Sequence, residues 1–322
     1  MRALNDYYYL AKDFWRYLRG TDYFRQPQGL GPYFHDSRCY YNDLRGKSTW
    51  NGQRQDGVPA LYVPSSGTVT VSPCMVLLWA LGSLDRFFLE GDKVFLTNAE
   101  SAARWLVASV LPEGYWDGDF QEFDPSHRYY SNNSCMNQGL ALSFMSRLLR
   151  YELLEPRLLT ELDSLSRRVA LNMMRPLHEN GTALRKGQDL YLLECTRVDE
   201  SVVFNGWVYG LFGLWDHVGR TDDLDMAKYL KHSLATMQKS LFLFRRKDGW
   251  SYYDTMERIA SPFYHDLHIS LLDALHRLTG ESVFEEQRQV FQRSNTRVNR
   301  MRYTLSKIKD KLLDQEKYSS QS

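Results

Sequence analysis

No segment of this 322-residue chain approaches the about 20 consecutive apolar residues that a membrane-spanning helix requires. The opening stretch MRALNDYYYLAKDFWRYLRG carries Asp6, Lys12, Asp13 and Arg16 where a signal peptide would be uniformly apolar. No membrane insertion and a cytoplasmic location are therefore expected. Neither sign of charge is in excess: 40 Lys and Arg face 39 Asp and Glu, for a net charge of +1. Without a polybasic run, nucleic acid is not an expected partner, and a polyanion is accommodated only where positive charge gathers locally. Cysteine is scarce. Cys39, Cys74, Cys135 and Cys195 lie far apart, with no CxxC or Cys/His ligand spacing, so reduced and mostly buried thiols are expected. A glycine-rich phosphate loop, a dinucleotide fingerprint, an HExxH pair, an EF-hand loop and a hydrolase nucleophile elbow are all missing, which weakens nucleotide and metal chemistry.

Aromatic residues, by contrast, reach 14%, with 21 tyrosines and 8 tryptophans. Rings supply burial, and they also line carbohydrate clefts. The strongest organisation is a recurring pair of helical segments. First members begin SPCMVLLWALGSLDRFF at Ser72, NNSCMNQGLALSFMSRLLRYE at Asn132, ESVVFNGWVYGLFGLWDHVG at Glu200 and SPFYHDLHISLLDALHRLTG at Ser261. Second members follow from Asn98, Leu158, Asp222 and Glu281. Apolar residues recur at three- and four-residue spacing, and the first member of each pair is the more apolar, as expected of inner helices enclosed by outer ones. Between pairs, Gly, Asn and Asp followed by aromatics mark turns and short strands. The fold class expected is all-α dominated: an incomplete (α/α) barrel or toroid with short strands and loops at one end. Residues 72–292 would form the toroid, residues 1–71 a helix near Asp6 to Arg19 and an irregular cleft-covering segment, and residues 293–322 a basic helix and tail containing KIKDKLLDQE.

Three of these blocks, NNSCMNQGLALSFMSRLLR, LLECTRVDESVVFNGWVYGLFGLWDHVG and WSYYDTMERIASPFYHDLHISLLDALHRLTG, carry a resemblance to the C-terminal (α/α) domain of the D-glucuronyl C5-epimerases. It covers roughly Tyr40 to Gly280 and is strongest after Ser131. The resemblance implies inversion at C5 of D-glucuronate to L-iduronate within an anionic, uronate-containing, heparosan-like polysaccharide, with no nicotinamide or metal cofactor required. The family's Tyr-Asp-Leu-Arg-His motif falls on Tyr253 and Asp254, but Thr255, Met256 and Glu257 stand in its last three places. Its Tyr-His-Thr-Thr-His motif falls on Tyr264, His265 and His268, with Asp266 and Leu267 between. An upstream Glu-Tyr pair falls on Glu194 and Cys195, keeping the glutamate and losing the tyrosine.

Inversion at C5 needs a base on one face of the sugar ring and an acid on the other. Glu194, Tyr253 and Tyr264 are three candidates for these two roles. Glu194 and Tyr264 are the favoured pair, with Tyr253 holding the ring or serving as an alternative acid. The enolate-like intermediate also needs positive or hydrogen-bonding groups at the sugar carboxylate. With the family's arginine replaced by Met256, Arg258 or Arg185 is the expected source of that charge. Asn205, Asn137, Gln138, His265 and His268 are candidate substrate contacts. Each has a packing alternative: helix contacts for the amides, burial or capping for the histidines.

Trp116, flanked by Asp117, Asp119 and Glu122, offers a sugar-stacking ring beside the pair of carboxylates a glycosidase would use. A polysaccharide lyase would share the first proton abstraction, and a glycan-binding protein would keep the groove without the opposed groups. Longer family members carry β-rich regions ahead of the helical domain. With only about seventy residues in that place here, a homo-oligomer is an alternative way to complete the cleft.

Overall fold

The computed structural model describes residues 23–63, 67–117, 133–196 and 200–306. The helix expected at Asp6 to Arg19, the acidic residues Asp119 and Glu122, and the KIKDKLLDQE segment lie outside them.

Four helical hairpins follow one another: α1 (Pro73–Glu90) with α2 (Lys93–Ser109), α3 (Cys135–Arg150) with α4 (Pro156–Met174), α5 (Phe204–Thr221) with α6 (Leu224–Ser240), and α7 (Pro262–Thr279) with α8 (Ser282–Ser294). Local chemistry sets the boundaries. Proline occupies the first turn of α1, α4 and α7, where its missing N–H costs no helix bond. Asp92 and Asp223 cap α2 and α6 by accepting from the amides of Val94 and of Asp225 and Met226. The Asp92 cap starts α2 five residues ahead of the periodicity seen from Asn98. Gly91 (φ 73°) and Gly280 (φ 75°) close α1 and α7 in the left-handed region.

Helices α1, α3, α5 and α7 pack side by side as an inner row, while α2, α4, α6 and α8 lie outside, giving an incomplete (α/α) toroid. Burial follows this division. In α3 every residue from Cys135 to Leu148 is buried, whereas α4 buries one stripe through Leu158, Leu162, Leu165, Val169 and Met173. The closest approach is between α3 and α5. A Cβ on Gly139 would lie 2.1 Å from the Tyr209 carbonyl oxygen, and one on Gly213 would lie 2.3 Å from the Gly139 carbonyl oxygen. Glycine at both positions brings the two backbones into contact. The same register pairs Arg147 with Asp216 farther along, so α3 and α5 run parallel.

Short antiparallel strands sit off the helices. They are β1 (Arg54–Gln55) with β2 (Val58–Pro59), β3 (Leu61–Val63) with β4 (Thr68–Thr70), and β5 (Ala183–Lys186) with β6 (Asp189–Leu192). The lead segment is pinned into the inner row by a buried polar cluster. Arg147 makes an ion pair with Asp216 at 2.6 Å and donates to the Ser143 and Cys39 carbonyls, and the Tyr41 hydroxyl donates to Asp216 at 2.6 Å. The Tyr40 amide donates to Asp85 at 2.8 Å, and burial pushes the Asp85 carboxyl up to about 8. Among the described residues, no helix is long and apolar enough to cross a membrane.

Candidate active site

The N-terminal turns of the inner helices meet at a cavity of about 320 Å³. Cys74, Met75 and Leu78 of α1, Met136 of α3, Asn205 and Tyr209 of α5, and Phe263, Tyr264 and Leu267 of α7 form its helical wall. Tyr23, Phe24, Gln28, Lys47 and Leu61 of the lead segment (residues ahead of α1), with Ser72 at the start of α1, form the other wall. Helix N-termini carry partial positive charge, so this end of the inner row favours an anionic group.

Glu194 reaches the cavity from just beyond β6. The Leu193 amide donates to the Thr182 carbonyl and the Cys135 amide donates to the Leu193 carbonyl, both at 2.9 Å, laying the hairpin end across the start of α3. The carboxylate then lies against the first turn of α5, where a Cβ on Gly206 would stand 2.2 Å from Glu194 Oε2. Glu194 Oε2 is enclosed and has no hydrogen-bond partner among the described residues. Burial, followed by the charge of Asp254, pushes the Glu194 carboxyl up to about 7. Gly206→Ala is expected to lower unfolding free energy by about 1–3 kcal/mol, because Glu194 must leave the space the new methyl takes. A urea titration measures it, and an unchanged midpoint would contradict this packing.

Tyr264 stands in the first turn of α7, its amide donating to Ser261 Oγ at 3.4 Å. Its ring meets that of Tyr253 edge-on, with centroids 4.8 Å apart. Tyr253 is held by its amide donating to the Arg258 carbonyl at 2.6 Å and by its carbonyl accepting from the Phe204 amide at 3.1 Å. Burial, then the charges of Glu194 and Cys74, pushes the Tyr264 phenol up to about 12, a hydrogen bond with Tyr253 acting in the opposite sense. Burial, then the charge of Glu194, also drives Tyr253 well above the ordinary phenol range. Both phenols are protonated at neutral pH, as an acid requires, and Glu194 is poised to exchange a proton there.

The remaining candidates separate. Asn205 lines the cavity, with its Oδ1 lacking a hydrogen-bond partner among the described residues. Gln138 donates from Nε2 to Asn172 Oδ1 at 2.5 Å in a buried amide cluster that includes Asn133, while Asn137 is buried in the same turn. His265 is stacked on Trp250 at 3.7 Å, with Nδ1 against Ser251 and Nε2 against the Phe291 carbonyl. His268 is fully buried against the Phe204 ring, 4.5 Å away. Burial lowers the His265 imidazole to about 4 and holds His268 well below its ordinary value, so both are neutral.

Arg258 is ion-paired to the buried Asp254, and burial lowers its guanidinium to about 10. Arg185 stands exposed on β5. Trp116 is buried in the core with its indole N–H donating to the Leu106 carbonyl at 3.1 Å. None of these three forms part of the cavity wall described above. Among the described residues, the cation that does is Lys47, which lies in a 3-10 turn (Arg45–Thr49) with no periodicity or motif to single it out. Tyr209 was likewise unmarked. Its hydroxyl donates to Asn42 at 2.8 Å and Gln28 at 3.2 Å, tying the two walls together.

A family model described as "D-glucuronyl C5-epimerase C-terminus" matches residues 133–293, half of the chain. No curated protein matches it by sequence. Among solved structures, an unsaturated glucuronyl hydrolase from Bacillus sp. GL1, titled as responsible for glycosaminoglycan degradation, is 16% identical with a TM-score of 0.46. That match covers 69% of this chain, which thus spans 61% of the hydrolase. An unsaturated glucuronyl hydrolase specific for heparin is 14% identical, with a TM-score of 0.46 over 79% of this chain and 81% of the other. A D-mannose isomerase is 11% identical, with a TM-score of 0.47 over 77% of this chain and 67% of the other.

Proposed function

The chain belongs to the D-glucuronyl C5-epimerase C-terminus family, and from that premise we propose that it is a carbohydrate epimerase inverting C5 of D-glucuronate residues in an anionic polysaccharide. One observation carries the assignment of roles. A carboxyl raised to about 7 and a phenol raised to about 12, Glu194 and Tyr264, line one cavity.

Glu194 accepts the C5 proton, and the C–H electron pair moves into the sugar carboxylate to form a planar enolate. Tyr264 returns a proton to C5 from the other face, and its tyrosinate regains one from solvent as Glu194 releases its own. Tyr253 supports the Tyr264 ring edge-on and hydrogen-bonds its phenol. Protons balance through water, so C5 takes up label from the solvent.

Incubation with glucuronate polymers in heavy water is expected to place deuterium at C5 and to produce iduronate without unsaturated chain ends. Unsaturated ends would reassign the activity to a lyase, in which the C5 carbanion expels the group at C4. Neither product across a range of uronate polymers would leave a glycan-binding protein. A second copy that completes the cleft belongs to the same proposal and is read from the oligomeric state in solution.

A further inference from the structure

The reaction proposed above needs a cation at the substrate carboxylate, and both arginines expected to supply one are placed elsewhere: Arg258 on Asp254 and Arg185 on an exposed strand. Lys47 is the basic residue of the cavity wall named above, and only 3% of it is exposed. Its ammonium donates to the carbonyls of Tyr23 at 2.6 Å and Phe24 at 3.2 Å, and lies 5.0 Å from the centre of the Tyr23 ring. The Tyr23 hydroxyl donates back to the Lys47 carbonyl at 2.7 Å. Carbonyl dipoles and a ring face fix the position of the buried ammonium.

Lys47 and the proposed base line the same cavity. The thiol of Cys74 on the helical wall is pushed up to about 12 by burial and by the charge of Glu194, and Lys47 opposes that rise. The two charges thus act on the same point of the cavity. A uronate ring held with its carboxylate at Lys47 keeps C5, one bond away, within the cavity that Glu194 also lines.

We infer that Lys47, delivered by the lead segment outside the family-matched residues 133–293, anchors the substrate's carboxylate and selects uronates over neutral sugars. This rests on the epimerase reading for its substrate class and on cavity geometry for its residue. Lys47 carries positive charge to the carboxyl oxygens, where the second negative charge of the enolate develops. It therefore contributes to proton abstraction as well as to binding.

The test compares a glucuronate disaccharide with its carboxyl-reduced counterpart, binding each to the full chain by calorimetry, with C5 deuterium uptake read in parallel. The wild type is expected to prefer the acid by about 10- to 100-fold, the range of one charge-assisted contact. Lys47→Gln, whose amide still donates toward the Tyr23 carbonyl, is expected to erase that preference while leaving the neutral sugar's affinity unchanged. Lys47→Arg is expected to retain it. A preference that survives in K47Q, or equal weakening of both sugars by K47Q, overturns the inference. A wild type that prefers the acid but takes up no deuterium overturns the epimerase reading while leaving the anion anchor standing. A wild type without preference overturns the anchor, and deuterium uptake then decides the reaction separately.

Discussion

Glu194→Gln is expected to cut deuterium uptake at C5 by about 10²- to 10⁴-fold, the contribution of one well-placed general base. The amide keeps the shape that fills the space above Gly206 but cannot accept the proton. The pH profile separates this from a packing defect. Because burial raises the carboxyl to about 7, wild-type uptake climbs as pH rises through 7 and then levels, whereas an ordinary glutamate would be fully ionised well below that. In E194Q this limb disappears. Stability moves the other way. A carboxyl whose pKa is raised by folding keeps its proton in the native state between the unfolded value near 4.5 and about 7, so the stability it lends is lost as pH rises through that window. E194Q removes that loss and should unfold at a higher urea concentration than wild type at pH 8. A mutant that is both inactive and destabilised at pH 8 would contradict the assignment.

Arg147→Met is expected to lower unfolding free energy by about 3–5 kcal/mol, because it leaves Asp216 charged and buried without its cation. The loss extends beyond the ion pair. Arg147 also satisfies the Cys39 and Ser143 carbonyls, and its guanidinium lies 5.0 Å from the Tyr40 ring and 5.2 Å from that of Tyr41. Adding Asp216→Asn should recover part of the deficit, since asparagine carries no charge and still accepts from Tyr41. Urea midpoints for the two single mutants and the double mutant measure the coupling. Strict additivity would show that the pair does not act as a unit.

The four hairpins were legible in the sequence because their signals are local. Ser-Pro at the start of α1 and α7, and Gly at the end of each, are written within one turn of the boundary, and periodicity reveals which helix of each pair is enclosed. Glu194, Tyr264 and Asn205, expected from motif positions, all line the cavity. Long-range contributions were less visible. Lys47, Gln28 and Tyr23 come from turns that alternate in no regular period, and they acquire a role only when the chain folds back over the inner helices. His265 and His268 illustrate the converse. Histidine next to tyrosine in a motif does not reveal whether the imidazole faces solvent or core, and here one stacks on Trp250 and the other packs on Phe204.

The glycine contact between α3 and α5 has a mechanical corollary. Sliding one helix past the other by a single residue, about 1.5 Å, would drive neighbouring Cβ atoms into main-chain carbonyls, so the two behave as one stiff beam. The turns that complete the cavity meet that beam through individual side chains such as Tyr209, so hydrogen bonds rather than backbone contact set their position.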